Sequence, residues 1–183
     1  MKVLFINACV RKNSRTLVLA REFMKEYDAE ITELNLEMEN ISPLNGELLE
    51  KRDSLLHSGA FDDPSLCYAR QFAAADEIVI AAPFWDLSFP AMLKTYFERI
   101  TASGITFEYV NGRPVGLCRA HRLVYVTTSG GEIFEDFGYT YVRTLAKSFY
   151  GIPKTLCVRA TNLDVEMITA DRVLADAKIT TVE

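Results

Sequence analysis

Histidine is nearly absent from this sequence: only His57 and His121 occur in 183 residues. That scarcity argues against a histidine-rich metal centre. The four cysteines, Cys9, Cys67, Cys118 and Cys157, are scattered and form no C-x-x-C pair. Neither a disulfide scaffold nor a thiolate metal site is expected from them. No apolar run is long enough to span a bilayer, and the short one near the start, Val3 to Ile6, falls below the length of a signal-peptide core. Both glycine-rich phosphate signatures, G-x-G-x-x-G and G-K-[ST], are missing. Cationic excess is missing too: 20 Lys and Arg stand against 25 Asp and Glu, for a net charge of −5. A general nucleic-acid face needs a basic balance. The expectation is a cytoplasmic protein with no membrane and no nucleic-acid partner.

What the chain does have is alternation. Hydrophobic residues make up 49% and charged residues 25%, an ordinary globular balance. Strand-like runs at Lys2–Asn7, Glu30–Leu36, Glu77–Ala81, Arg122–Thr128 and Thr155–Ala160 are separated by helix-like runs. Those helices fall at Thr16–Tyr27, Ser65–Ala75, Met92–Thr101 and Tyr139–Phe149, with a last one over Val165–Ala177. Strand–helix alternation predicts an α/β fold: a parallel sheet covered by helices on both faces, as one domain over residues 1–183. Met38–Pro64 and Ser103–Gly116 break the pattern. The first has helical character at Glu47–Leu56, and the second reads as a hairpin around Asn111-Gly112.

Three loops follow strand ends, where open α/β sheets bind ligands. The first, Ala8–Thr16, carries Arg11, Ser14, Arg15 and Thr16 where a helix begins. Free N–H groups, a positive helix end, hydroxyls and guanidinium groups suit a phosphomonoester. A solvated N-cap turn accounts for the same residues. The second, Pro83-Phe84-Trp85-Asp86-Leu87, places two aromatics between a strand that has ended and a helix not yet begun, which suits a flat aromatic ligand. The third, Thr128-Ser129-Gly130-Gly131, pairs hydroxyls with glycines that let backbone approach a ligand; a plain turn is the alternative.

These loops carry a resemblance. The chain resembles the flavodoxin-like NAD(P)H-dependent quinone reductases and azoreductases, including bacterial FMN-dependent NADH-azoreductases. The likeness runs from Met1 to about Asp164 and is most specific over Ala82–Thr101, with Gly104-Ile105-Thr106-Phe107 and Gly116-Leu117 beyond. It implies a flavodoxin-like three-layer sandwich with a five-stranded parallel sheet. It also implies FMN rather than FAD, with NADH or NADPH as donor and an electron-poor aromatic acceptor. The donor and acceptor would use one site in turn, by ping-pong kinetics. The resemblance assigns Arg11, Ser14, Arg15 and Thr16 to the phosphate, and Pro83 to Leu87 to the ring. Thr128 to Gly131 fall at the ring's polar edge. It implies a homodimer, in which residues near Phe107 and Tyr109 close the partner's site. Two departures stand out: Cys9-Val10-Arg11 replaces the family's frequent Ser-Pro-Arg, and Asp86 replaces a common Asn. A carboxylate near the ring would lower the flavin's potential.

The same residues admit other readings. One is a flavodoxin-type carrier that passes single electrons to a protein partner. Another is a non-catalytic binding module on the same fold. A third starts from Cys9 to Arg15, which satisfies the C-x5-R spacing of low-molecular-weight tyrosine phosphatases, although Asp63-Pro64 is misplaced for their general acid.

Overall fold

The computed structural model describes residues 1–183. In chain order its elements are β1 (Lys2–Asn7), α1 (Arg15–Phe23), β2 (Glu30–Asn35), α2 (Gly46–Ser58), α3 (Cys67–Ala74), β3 (Glu77–Ala81) and α4 (Ala91–Ile100). There follow β4 (Phe107–Val110), β5 (Arg113–Gly116), β6 (Arg122–Thr128), α5 (Phe137–Leu145), β7 (Lys154–Ala160), α6 (Val173–Asp176) and β8 (Ile179–Val182). A π-helical turn, Ala146–Tyr150, extends α5. β4 and β5 pair as the expected hairpin, turning at Asn111 and Gly112 with φ of 51° and 75°. No helix is long and apolar enough to cross a membrane.

The main sheet has the order β2-β1-β3-β6-β7-β8. Its first five strands are parallel, as expected from the alternation. The sixth, β8, corrects the five-stranded expectation: it adds antiparallel to β7, with Ala160 opposite Ile179. That register explains both the strand and the shortened last helix. The chain leaves β7 and re-enters the sheet at the same end, so it makes no crossover and must run back antiparallel. A full helix over Val165–Ala177 is not needed for that path. Left-handed φ at Asn162 (63°) and Met167 (52°) turns the chain instead, and only Val173–Asp176 is helical.

Period-two alternation along the strands divides the core. Val3, Phe5, Val79, Val124 and Val126 face α1, where they meet Leu19, Ala20 and Met24. Leu4, Ile6, Ile78, Ile80, Leu123 and Tyr125 face the other way, onto Phe72 of α3, Leu93, Tyr96 and Phe97 of α4, and Val142 of α5. β3 is buried along all five residues because both its faces are covered. From β1 the chain moves outward to β2, whereas β3 leads on to β6 on the other side. This reversal opens a crevice at the carboxyl ends of β1 and β3, the switch point where ligands bind in such sheets.

Candidate functional site

A cleft of about 970 Å³ lies at that switch point. The first loop forms its floor. Ser14 is the N-cap of α1: its Oγ accepts the Leu17 N–H at 3.2 Å. The N–H groups of Arg15 and Thr16, in the first turn, have no acceptor within the helix. Arg11 is exposed at the rim and forms no ion pair. The buried Thr16 Oγ1 lies 2.7 Å from Thr128 Oγ1, which ties the first loop to the third. The Arg15 side chain is engaged elsewhere. Its Nη2 lies 2.7 Å from Asp164 Oδ1, and its Nη1 donates to the Ile168 carbonyl at 3.0 Å.

The second loop continues the sheet before it turns. Ala82 N–H donates to Val126 O at 3.0 Å, and Phe84 N–H to Thr128 O at 3.0 Å. The chain then reverses between Trp85 and Ser88, which exchange backbone hydrogen bonds of 3.1 and 2.8 Å. Asp86 and Leu87 hold φ of 49° and 65° at the two central positions. That is the sign pattern of a type I′ turn, which normally takes Asn-Gly. A leucine there costs about 1 kcal/mol. The N-terminus of α5 braces the turn, for Phe137 N–H donates to Leu87 O at 3.0 Å. The result is a shelf in which Pro83, Phe84 and Trp85 line the cleft and Trp85 stays 37% exposed.

Nine of the predicted site residues therefore converge on one cleft: Arg11, Ser14, Arg15, Thr16, Pro83, Phe84, Trp85, Thr128 and Gly130. Four do not line it. Asp86 and Leu87 form the exposed apex of the turn. Ser129 is buried, its hydroxyl donating to the carbonyl of exposed Gly131 at 2.5 Å, so the two shape the third loop without lining the cleft. Phe107, expected to reach a partner's site, is buried against Phe149, whereas Tyr109 is 61% exposed. The sequence reading missed the loop after β7: Leu163, Asp164 and Met167 to Asp171 all line the cleft. The signal is its position after a strand's carboxyl end, which the apolar spacing of a helix over Val165–Ala177 masks.

The C-x5-R reading fails on geometry. Cys9 is 6% exposed, its backbone N–H donates to Asn7 Oδ1 at 3.0 Å, and its thiol points at Ala81 O, 3.7 Å away. Burial pushes the thiol up to about 11. A neutral, covered thiol is no nucleophile.

The doubly wound sheet, with three loops meeting at its switch point, defines a flavodoxin-type α/β protein. The family model described as "Flavodoxin-like fold" matches residues 1–180, and the chain belongs to that family. Among curated relatives, an FMN-dependent NADH:quinone oxidoreductase of Coprothermobacter proteolyticus is 38% identical over 189 residues, covering 96% of this chain and 94% of its own. FMN-dependent NADH:quinone oxidoreductase 2 of Clostridium acetobutylicum is 40% identical over 177 residues, covering 90% and 88%. An azoreductase structure from Bacillus anthracis superposes with a TM-score of 0.78 at 22% identity, over 95% of this chain and 91% of that one. A second structure, an FMN-dependent NADH-azoreductase from Bacillus anthracis in complex with FMN, gives 0.74 at 24% identity, over 90% and 88%. At these identities the structural matches establish the fold.

The residues present fit a flavin mononucleotide. The cleft volume lies within the range of cofactor sites. Two free N–H groups and the unpaired Arg11 suit a phosphate, and the Phe84-Trp85 shelf offers apolar area to a planar ring.

Proposed function

We propose that this chain is an FMN-dependent NADH oxidoreductase that delivers two electrons to quinones, azo compounds or similar electron-poor aromatics. The observation that carries the reading is the convergence of anion cradle and aromatic shelf in one switch-point cleft. The names of its relatives supply the donor and the acceptor class. The chemistry that bound FMN supplies is two-electron transfer between a nicotinamide and an acceptor.

The chain's own residues bind, orient and exclude water. The Arg15 and Thr16 N–H groups, the Ser14 hydroxyl and Arg11 hold the phosphate. Pro83, Phe84 and Trp85 seat the ring, and the turn at Asp86 and Leu87 fixes the angle of Trp85. Thr128 and Gly130 face the ring's polar edge, with Ser129 and Gly131 setting the shape of that loop. Neither histidine lines the cleft, so no imidazole is positioned to move a proton there. Donor and acceptor occupy the same open cleft in turn, which gives ping-pong kinetics.

The whole of residues 1–183 acts as one flavin-binding domain. The working form is a homodimer. Leu87 and Phe137, hydrogen-bonded through their backbones, stand 37% and 57% exposed beside the ring turn, an apolar surface that a second copy would cover. Four unpaired cysteines suit a reducing compartment, and we place the protein in the cytoplasm. The test is FMN titration of the cofactor-free protein, followed by initial rates with NADH and a quinone both varied. Saturable binding and parallel double-reciprocal lines are expected. Intersecting lines would remove the shared cleft, and absence of FMN binding would remove the whole reading.

A further inference from the structure

Leu163–Asp171 makes part of the cleft wall, yet electron transfer assigns it no task. Its attachment is uneven. Leu163 and Ile168 are buried, while Val165 and Met167 are 73% and 87% exposed. Asn162 and Met167 hold left-handed φ, a backbone state that non-glycine residues occupy at a cost and that clusters at ligand clamps. Backbone bonds tie one end to the third loop: Leu163 N–H to Ser129 O at 3.2 Å and Asp164 N–H to Gly130 O at 2.9 Å. The tie to the first loop is Arg15, which pairs with Asp164 at 2.7 Å and donates to Ile168 O at 3.0 Å.

Gly130 belongs to the same arrangement. A Cβ placed there would lie 2.0 Å from Asp164 Oδ2. The carboxylate packs directly over the glycine through Oδ2 while its Oδ1 pairs with Arg15. A methyl group at residue 130 would push the carboxylate off its partner.

We propose that Arg15 and Asp164 are positioning residues. Their ion pair is a clasp that holds Leu163–Asp171 against the start of α1, so the Arg15 side chain retains the cofactor by fixing a wall of its cleft rather than by neutralising its phosphate. This rests on the FMN reading above. The phosphate is then left to the helix N–H groups, Ser14 and Arg11.

The two roles for Arg15 predict opposite signs for one substitution. If Arg15 were a phosphate ligand, Asp164 would be a competitor, and Asp164→Asn would free the guanidinium and slow FMN release. If Arg15 is a clasp, Asp164→Asn loosens the wall and speeds release. Asp164 is 72% exposed, so its removal leaves folding intact, and an exposed pair is worth only a few-fold.

The experiment measures FMN dissociation by fluorescence recovery, and amide hydrogen exchange of residues 162–172 in the cofactor-free protein. Asp164→Asn is expected to release FMN about threefold faster, and Arg15→Gln about tenfold faster because it also loses the bond to Ile168 O. In the Asp164→Asn background the Arg15→Gln effect should shrink, as coupled residues require. Exchange over 162–172 should rise in both variants. Slower release in Asp164→Asn, or exchange unmoved by either variant, overturns the clasp. A wild-type protein that binds no FMN overturns the functional reading and the retention role, while the exchange comparison still decides whether the clasp exists.

Discussion

The two ends of the sheet are both polar, but they treat charge in opposite ways. At the amino end, charges are matched. Glu77, 1% exposed, accepts from Tyr27 Oη at 2.5 Å and from Arg122 Nη2 at 2.7 Å, with His121 Nε2 at 3.6 Å. Beside it, Asp76 accepts the Lys2 N–H at 2.8 Å and pairs with Arg119. The Lys2 bond holds the Asp76 carboxyl below the usual range, and burial raises the Tyr27 hydroxyl well above its own. At the carboxyl end Arg15 is paired with Asp164, but other donors are left without acceptors. The helix N–H groups, Arg11 and an exposed tryptophan face an open cleft. One end spends its polar groups on the fold, and the other leaves several of them facing an open cleft.

The largest effect is expected at the amino end. Glu77→Ala leaves half-buried Arg122 and Tyr27 without their shared acceptor, and losing hydrogen bonds to a charged group costs about 3 kcal/mol. Urea unfolding should show that loss while FMN affinity of the folded protein stays within about twofold of wild type. A Glu77 variant of normal stability would mean that the amino end is not what secures the fold. The next effect has the reverse signature. Trp85→Ala should weaken FMN binding about 30-fold, about 2 kcal/mol of lost stacking, with an unchanged unfolding midpoint. Equal affinity in a calorimetric titration would take Trp85 off the shelf.

Leu87→Gly sharpens the contrast within the carboxyl end. Glycine accepts a φ of 65° without the steric cost that leucine bears. The variant should be more stable by about 0.5–1 kcal/mol yet bind FMN more weakly, because the turn that aims Trp85 is looser. If stability falls instead, the turn is not a reservoir of strain.

The smallest effect concerns Cys9, a closed spot in an open region. Its thiol is raised to about 11 by burial, so the folded state favours the neutral form. Its contribution to stability is complete below the unfolded value near 9 and is lost as pH rises through 11. At pH 9 the loss is only about 0.4 kcal/mol. Thiol reagent at pH 8 should label exposed Cys67 quickly and Cys9 only after unfolding. Rapid native labelling of Cys9 would contradict the buried geometry.

Much of this was legible in the chain. Strands such as Glu77–Ala81 announce themselves as unbroken apolar runs, and loops that follow strand ends must gather at one pole of a parallel sheet. Asn111-Gly112 marked its hairpin because few other pairs tolerate two positive φ values. Other features left no local trace. Ile179–Val182 is an edge strand of four residues, too short to show alternation. The loop after β7 takes left-handed turns at Asn162 and Met167, and methionine gives no turn signal. Arg15 lines the cleft, but its partner lies 149 residues away, at Asp164. Such a pairing is a property of the tertiary structure alone.

The central claim is that the open end of the sheet holds FMN and passes two electrons through it. Its most direct test is the visible spectrum of the FMN-loaded protein kept free of oxygen, titrated with NADH and then with a quinone. The account predicts that one equivalent of NADH bleaches the flavin band and one equivalent of quinone restores it. A flavin that NADH leaves coloured, or a protein that takes up no flavin at all, would contradict it.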